Sequence, residues 1–145
     1  ITFINLIYFD DPIILTKRER IMPEKKLIFI IDDDPDIRDL VRAVLESAGF
    51  ATKTAANGSE GIALFEGENP DLVLCDMMME QIDSGARVVQ EIRTKNTRVP
   101  VFLLSSIGDA TARYMDVKGL GFSGVIQKPV LPEKLIETIK KSLGL

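Results

Sequence analysis

Between Lys25 and Leu143, short apolar runs alternate five times with stretches of helical spacing, and this alternation constrains the fold more than any other feature of the chain. Continuous apolar runs suit strands buried on both faces, while apolar residues recurring at three- and four-residue steps suit helices that cover a sheet. The pattern predicts an α/β fold, a doubly wound five-stranded parallel sheet with helices on both faces. With 145 residues and 46% hydrophobic content, the chain fits one compact domain with a sizeable core.

The first unit runs from Leu27–Ile31 into a helix that carries Ile37, Leu40, Val41, Val44, Leu45 and Ala48 inward. Asp34 followed by Pro35 is a good helix start, and Gly49 a stop. The second unit is a short strand from Ala51 to Ala55, a turn and cap at Asn57-Gly58-Ser59, and a helix with Ile62 and Phe65 that ends at Gly67. Pro70 precedes the third strand, Asp71 to Asp76, and after Asp83-Ser84-Gly85 a third helix buries Val88, Val89 and Ile92. Pro100 introduces the fourth strand, Val101 to Ser105, and a helix is expected over Asp109 to Lys118. The last unit is the strand Gly124 to Gln127, then Lys128-Pro129, then a helix from near Pro132 that turns Leu135, Ile136, Ile139 and Leu143 inward.

Acids mark the ends of two of these strands. Asp32, Asp33 and Asp34 close the first apolar run, and Asp76 closes the third. In an open α/β sheet, ligands bind in the crevice outside the carboxyl ends of the strands. If strands one, three, four and five end side by side, they present Asp32, Asp33 and Asp76, then Ser105, then Lys128. Carboxylates held close together repel one another unless a cation binds, and oxygen-only ligands favour a hard ion such as Mg²⁺. One carboxylate can then act as a nucleophile toward phosphorus while the ion, a hydroxyl and an ammonium hold the phosphoryl oxygens, and Asp76, Ser105 and Lys128 fit those roles.

Each signal has a bland reading. Asp34 reads as a helix cap rather than a ligand, and Asp32 with Asp33 could be ordinary strand-end solvation. A Lys before Pro is commonly a strand terminus, and Met77, Met78 and Met79 read as gap-filling residues after a buried strand.

Composition narrows the function classes. The chain has no histidine, which excludes an imidazole base, a histidine nucleophile or a histidine-bound zinc supplied by this chain. Its single Cys75 lies within an apolar strand and has no intramolecular disulfide partner, which points to a reducing, cytoplasmic setting. The net charge of −4, from 22 acids against 18 bases, offers no broad basic surface, so no direct nucleic-acid contact is expected and a protein partner is. The mostly apolar stretch Ile1 to Phe9 is too short to cross a bilayer, which needs roughly 20 residues, so no membrane insertion is expected. Residues 1–24 are read as an N-terminal extension, with upstream sequence favoured over an added edge strand, and residues 25–145 as the domain.

The ordered motifs Ile30-Ile31-Asp32-Asp33-Asp34-Pro35, Pro70 through Met79, Pro100-Val101-Phe102-Leu103-Leu104-Ser105-Ser106 and Lys128-Pro129 resemble the response-regulator receiver domain of two-component phosphotransfer. The likeness covers nearly everything from Lys25 to Leu143 and implies a flavodoxin-like strand order 2-1-3-4-5. It further implies that Asp76 is the phosphoacceptor, that Asp32, Asp33, Asp76 and the backbone carbonyl of Met78 hold Mg²⁺, that Ser105 is the switch hydroxyl and that Lys128 is the phosphate partner. The Lys128-Pro129 bond would be cis. The phosphoryl group would come from a sensor histidine kinase or a histidine phosphotransfer protein, and the phosphorylated surface would recruit a downstream effector protein.

Three positions depart from the family pattern: Glu80 where proline is usual, Ser84 where the loop glycine is expected with Gly85 following, and Val125 where many receivers carry an aromatic residue. The leading reading is a stand-alone receiver, a switch rather than an enzyme releasing a product. Two alternatives stay open: a receiver-like binding module that does not turn over phosphate, and an aspartate-nucleophile phosphatase in which Asp32 attacks and Asp34 serves as acid.

Overall fold

The computed structural model describes residues 24–76, 84–95, 98–106 and 117–145. Its elements in chain order are β1 (Leu27–Ile31), α1 (Pro35–Ser47), β2 (Ala51–Ala55), α2 (Gly58–Gly67), β3 (Leu72–Asp76), α3 (Ser84–Lys95), β4 (Val101–Ser106), β5 (Gly124–Lys128) and α4 (Pro132–Leu143). The strands pair in parallel in the order β2-β1-β3-β4-β5, so the expected order is found. The expected helix over Asp109 to Lys118 falls largely on residues outside those described, as do Met78 and Glu80.

The pleat sorts the three central strands between two layers of core. Phe29, Ile31, Val73, Cys75, Val101 and Leu103 face α2 and α3, where they meet Phe65, Val88, Val89 and Ile92. Ile28, Ile30, Leu72, Leu74, Phe102 and Leu104 face α1 and α4, where they meet Val41, Leu45, Leu135 and Ile139. Side chains alternate across a strand with a period of two, so unbroken apolar runs serve a sheet covered on both sides. The edge strand β2 is mixed in burial because only one flank is paired.

Local chemistry sets the helix ends. Asp34 caps α1 by accepting the Asp36 amide at 2.9 Å, Pro35 opens the helix, and Gly49 takes the left-handed φ of 93° just beyond it. Asn57 caps α2 by accepting the Glu60 amide at 2.8 Å, and the Glu60 carboxylate in turn accepts the Ala56 amide. At Gly61 a Cβ would lie 2.6 Å from Cδ1 of Ile31, which explains how closely α2 approaches the sheet.

Three sequence expectations need correction. Leu40, expected to point inward from α1, is 42% exposed. It lies roughly a quarter turn from the centre of the stripe built on Val41, Val44, Leu45 and Ala48, at about 100° per residue, so the sheet does not cover it. The last strand extends to Lys128 rather than Gln127, and β4 extends to Ser106, because Ser106 and Lys128 still pair across the ladder. The Lys128-Pro129 peptide bond is cis, as the family likeness implied.

Candidate functional site

The ends of β1, β3 and β5 build the site through the same period of two that sorts the core. Asp76 is in step with Leu72 and Leu74, Lys128 with Ile126, and Asp32, one residue past β1, with Ile28 and Ile30. All three therefore emerge on the α1 and α4 side, at the carboxyl edge of the sheet. Lys128 Nζ lies 2.8 Å from Oδ2 of Asp32 and 3.6 Å from Oδ2 of Asp76.

Burial divides the acids. Asp32 is fully buried, Asp76 is 8% exposed, and Asp33 stands exposed at the rim. Carboxylate oxygens from Asp32, Asp33 and Asp76 nevertheless lie within 4.8 Å of one another. Three acids thus face one ammonium, a set of hard oxygen donors that suits a small divalent cation. A buried carboxylate needs partners, and Asp32 has one at each oxygen: Oδ1 accepts the Asp34 amide at 2.9 Å and Oδ2 meets Lys128; separately, the Asp32 backbone carbonyl accepts from Arg38 Nη1 at 2.7 Å.

Electrostatics follow from this crowding. Burial pulls the Lys128 ammonium down, but its hydrogen bond to Asp32 and the charges of Asp76 and Asp32 outweigh that, so its pKa rises above the usual lysine value. Next to Asp76, burial first and then the charges of Asp76 and Asp32 drive the Cys75 thiol far above its usual range. Cys75 is thus an inert core residue, as its apolar surroundings in sequence suggested.

Ser105, the penultimate residue of β4, is buried, with Oγ donating to the Ser106 carbonyl over a long 3.4 Å. That weak contact leaves the hydroxyl available to a stronger acceptor. Asp34 is engaged as the α1 cap. Val125 is 42% exposed on β5, so the position that often holds an aromatic residue carries a small side chain at the surface. Arg38 was not singled out from sequence. Its signal was available: a cation closing the first turn of a helix, where the dipole favours acids.

A doubly wound parallel sheet with acids and a lysine gathered over its carboxyl edge defines the class of α/β proteins that work in the crevice at a switch in strand order. The sequence model of the response regulator receiver domain matches residues 28–140, and the chain belongs to that family of two-component signalling domains. Among curated relatives, a probable transcriptional regulator ycf27 of Cyanophora paradoxa is 35% identical over 119 residues, which are 82% of this chain and 48% of that protein. An uncharacterized 14.6 kDa protein of Leptolyngbya boryana is 33% identical over 79% of this chain and 87% of its own length. The chemotaxis response regulator CheY4 of Vibrio cholerae superposes with a TM-score of 0.74 at 26% identity, covering 83% of this chain and all of that one. The receiver domain of NtrX from Brucella abortus gives 0.74 at 28% identity, covering 81% and 98%. The chain spans about half the length of the first curated relatives it matches. Since those relatives are named transcriptional regulators, they lend no support to the expectation of no nucleic-acid contact. No helix among the described residues is long and apolar enough to cross a membrane.

Proposed function

We propose that the chain is a receiver switch in which Asp76 accepts a phosphoryl group from the phosphohistidine of a sensor histidine kinase or a histidine phosphotransfer protein. The observation that carries this reading is the meeting of Asp76, Asp32 and Lys128 at the edge of the sheet, with the more accessible carboxylate on Asp76. An Asp76 oxygen attacks phosphorus, the bond from phosphorus to the donor's imidazole nitrogen breaks, and the imidazole leaves with the electron pair. Lys128, held protonated between the two acids, is in place to pair with a phosphoryl oxygen once Asp76 is modified. Ser105 Oγ exchanges its long contact for the phosphoryl group, which draws the end of β4 inward and alters the surface beside the exposed Val125 on β5.

Asp32, Asp33 and Asp76 would hold Mg²⁺, with the Met78 carbonyl, which lies outside the described residues, as the fourth protein ligand that the family likeness implies. When bound, the ion supplies positive charge that lowers repulsion between the acids and an incoming phosphate. The domain is taken as residues 25–145, the preceding residues as an extension, and the setting as cytoplasmic.

Incubation with acetyl phosphate and Mg²⁺, followed by mass spectrometry, tests the acceptor. A label present in the wild type and lost in Asp76→Asn supports the switch. A label on Asp32 supports the phosphatase alternative, and no label supports an inert binding module. The full burial of Asp32 and the engagement of Asp34 as a helix cap weigh against the phosphatase.

Output has two readings. A stand-alone switch that recruits an effector protein is favoured by the near full-length matches to CheY4 and to the 14.6 kDa protein. A receiver heading a longer regulator is favoured by the ycf27 proteins, of which it spans about half. An immunoblot of source cells separates them: a band near the size of one receiver domain supports the first, and one about twice as large the second.

A further inference from the structure

The strand end that carries Asp33 is pinned on both sides by hydrogen bonds that do not use the Asp33 carboxylate. On one side Arg38, from the first turn of α1, donates Nη1 to the carbonyl of Asp32 at 2.7 Å. On the other, the amide of Asp34 donates to Oδ1 of Asp32 at 2.9 Å. The peptide units before and after Asp33 are thus both held, although the Asp33 side chain is itself exposed. An exposed carboxylate ordinarily samples several rotamers and loses that freedom when it binds a ligand. Here its Cα is fixed so that an oxygen lies within 4.8 Å of oxygens on Asp32 and Asp76.

We infer that Arg38 is a positioning residue for the cation site, holding the Asp32 carbonyl so that the Asp33 carboxylate is presented to the metal. The inference rests on the reading of Asp32, Asp33 and Asp76 as Mg²⁺ ligands. The local cost of the arrangement supports it. A cation in the first turn of α1 opposes the helix dipole, and it also stands close to a site meant to attract Mg²⁺. A residue that breaks a local rule at a site is expected to be compensated by what it organises. The Asp32 backbone needs it: the Asp32 amide donates to Ala55 O at 3.1 Å, but the carbonyl lies past the last paired residue of β1, and in a fully buried residue it must find a donor.

Charge and position predict opposite signs, which makes the role testable. If Arg38 acted only through its charge, removing it would tighten Mg²⁺ binding. If it positions Asp33, removing it loosens binding, and outer partners of metal ligands typically change affinity by about 10-fold or more. The experiment titrates Mg²⁺ into the full chain and follows the backbone amides of residues 32–34 by NMR, in wild type, Arg38→Met, Arg38→Lys and Arg42→Met. Arg38→Met keeps most of the apolar stem and loses the donors, and Arg42 lies on the same helix but pairs with Asp39. The expected result is a dissociation constant raised about 10-fold in Arg38→Met, partly rescued in Arg38→Lys and unchanged in Arg42→Met. The Mg²⁺ concentration for half-maximal acetyl phosphate labelling should rise by the same factor, with the rate at saturating Mg²⁺ within about twofold of wild type. Equal or tighter Mg²⁺ binding in Arg38→Met overturns the inference, and if that variant does not fold, equal or tighter binding in Arg38→Leu does. Absence of any Mg²⁺ response in the wild type overturns the reading of the metal site itself.

Discussion

At the amino end of the sheet, Asp71 accepts the Leu27 amide at 2.8 Å, and Arg93 donates to the Gly121 carbonyl at 3.0 and 2.7 Å and to the Val99 carbonyl at 2.6 Å. At the carboxyl end, Asp32, Asp33 and Asp76 crowd around Lys128. Both ends place charged side chains against partly buried backbone. The first end uses each charge to close a loop onto the sheet, where it meets neutral carbonyls and amides. The second gathers like charges that repel one another around a single ammonium. On the proposed function, the charges of the first end serve mainly stability and the crowded acids of the second serve the site.

Substitutions at the two ends should therefore separate activity from stability. The largest effect is expected from Lys128→Met. Loss of a charge aimed at the developing phosphoryl oxygens should slow acetyl phosphate labelling of Asp76 by about 100-fold or more, measured as the rate of label incorporation at saturating Mg²⁺. Arg93→Ala should do the reverse. Leaving the Val99 and Gly121 carbonyls without these donors should cost about 2–4 kcal/mol in urea denaturation, with the labelling rate within about twofold of wild type. If Arg93→Ala slows labelling as much as Lys128→Met does, the two ends are not separate. Gly61→Ala, whose added methyl meets Ile31 next to Asp32, should cost about 1–3 kcal/mol and sharpen the comparison by showing how far packing strain reaches into the site.

The smallest effect is on the alkaline side and is expected from Lys128 and Cys75 at the carboxyl end. Lys128 is held protonated in the fold, so its contribution is complete below the unfolded lysine value of about 10.4 and is lost as pH rises through the higher folded value. Cys75 is held as a thiol, so the unfolded chain ionises first, from about pH 8.5 upward, and stability falls from there. Denaturation midpoints should accordingly decline above about pH 9, and part of that decline should vanish in Cys75→Ala. Alkylation of Cys75 at pH 8 should proceed only at the rate of unfolding.

Much of the fold was legible because its determinants are local. The runs Leu27–Ile31, Leu72–Cys75 and Val101–Leu104 are apolar throughout, which a two-sided sheet requires. The caps at Asp34 and Asn57 act within three residues of themselves. The margin of the apolar stripe was less legible: Leu40 has the right spacing, yet its exposure depends on how far the sheet extends beneath α1. Arg38 showed in the sequence only as a cation opposing the dipole of α1, and what it and Arg93 anchor was not legible, because their partners are backbone carbonyls, which no side-chain motif records.

By itself the sequence determined the alternation of strands and helices, the placement of acids after β1 and β3 and of Lys128 after the last apolar residue of β5, and the likeness to receivers, since each is set by residue type and short-range spacing. Only the tertiary structure decided that Lys128 sits closer to Asp32 than to Asp76, that Asp32 is buried while Asp33 is exposed, and that Arg38 secures the peptide between them. Those outcomes depend on the twist and register that bring β1, β3 and β5 to a common edge, and on side chains competing there for the same few oxygens.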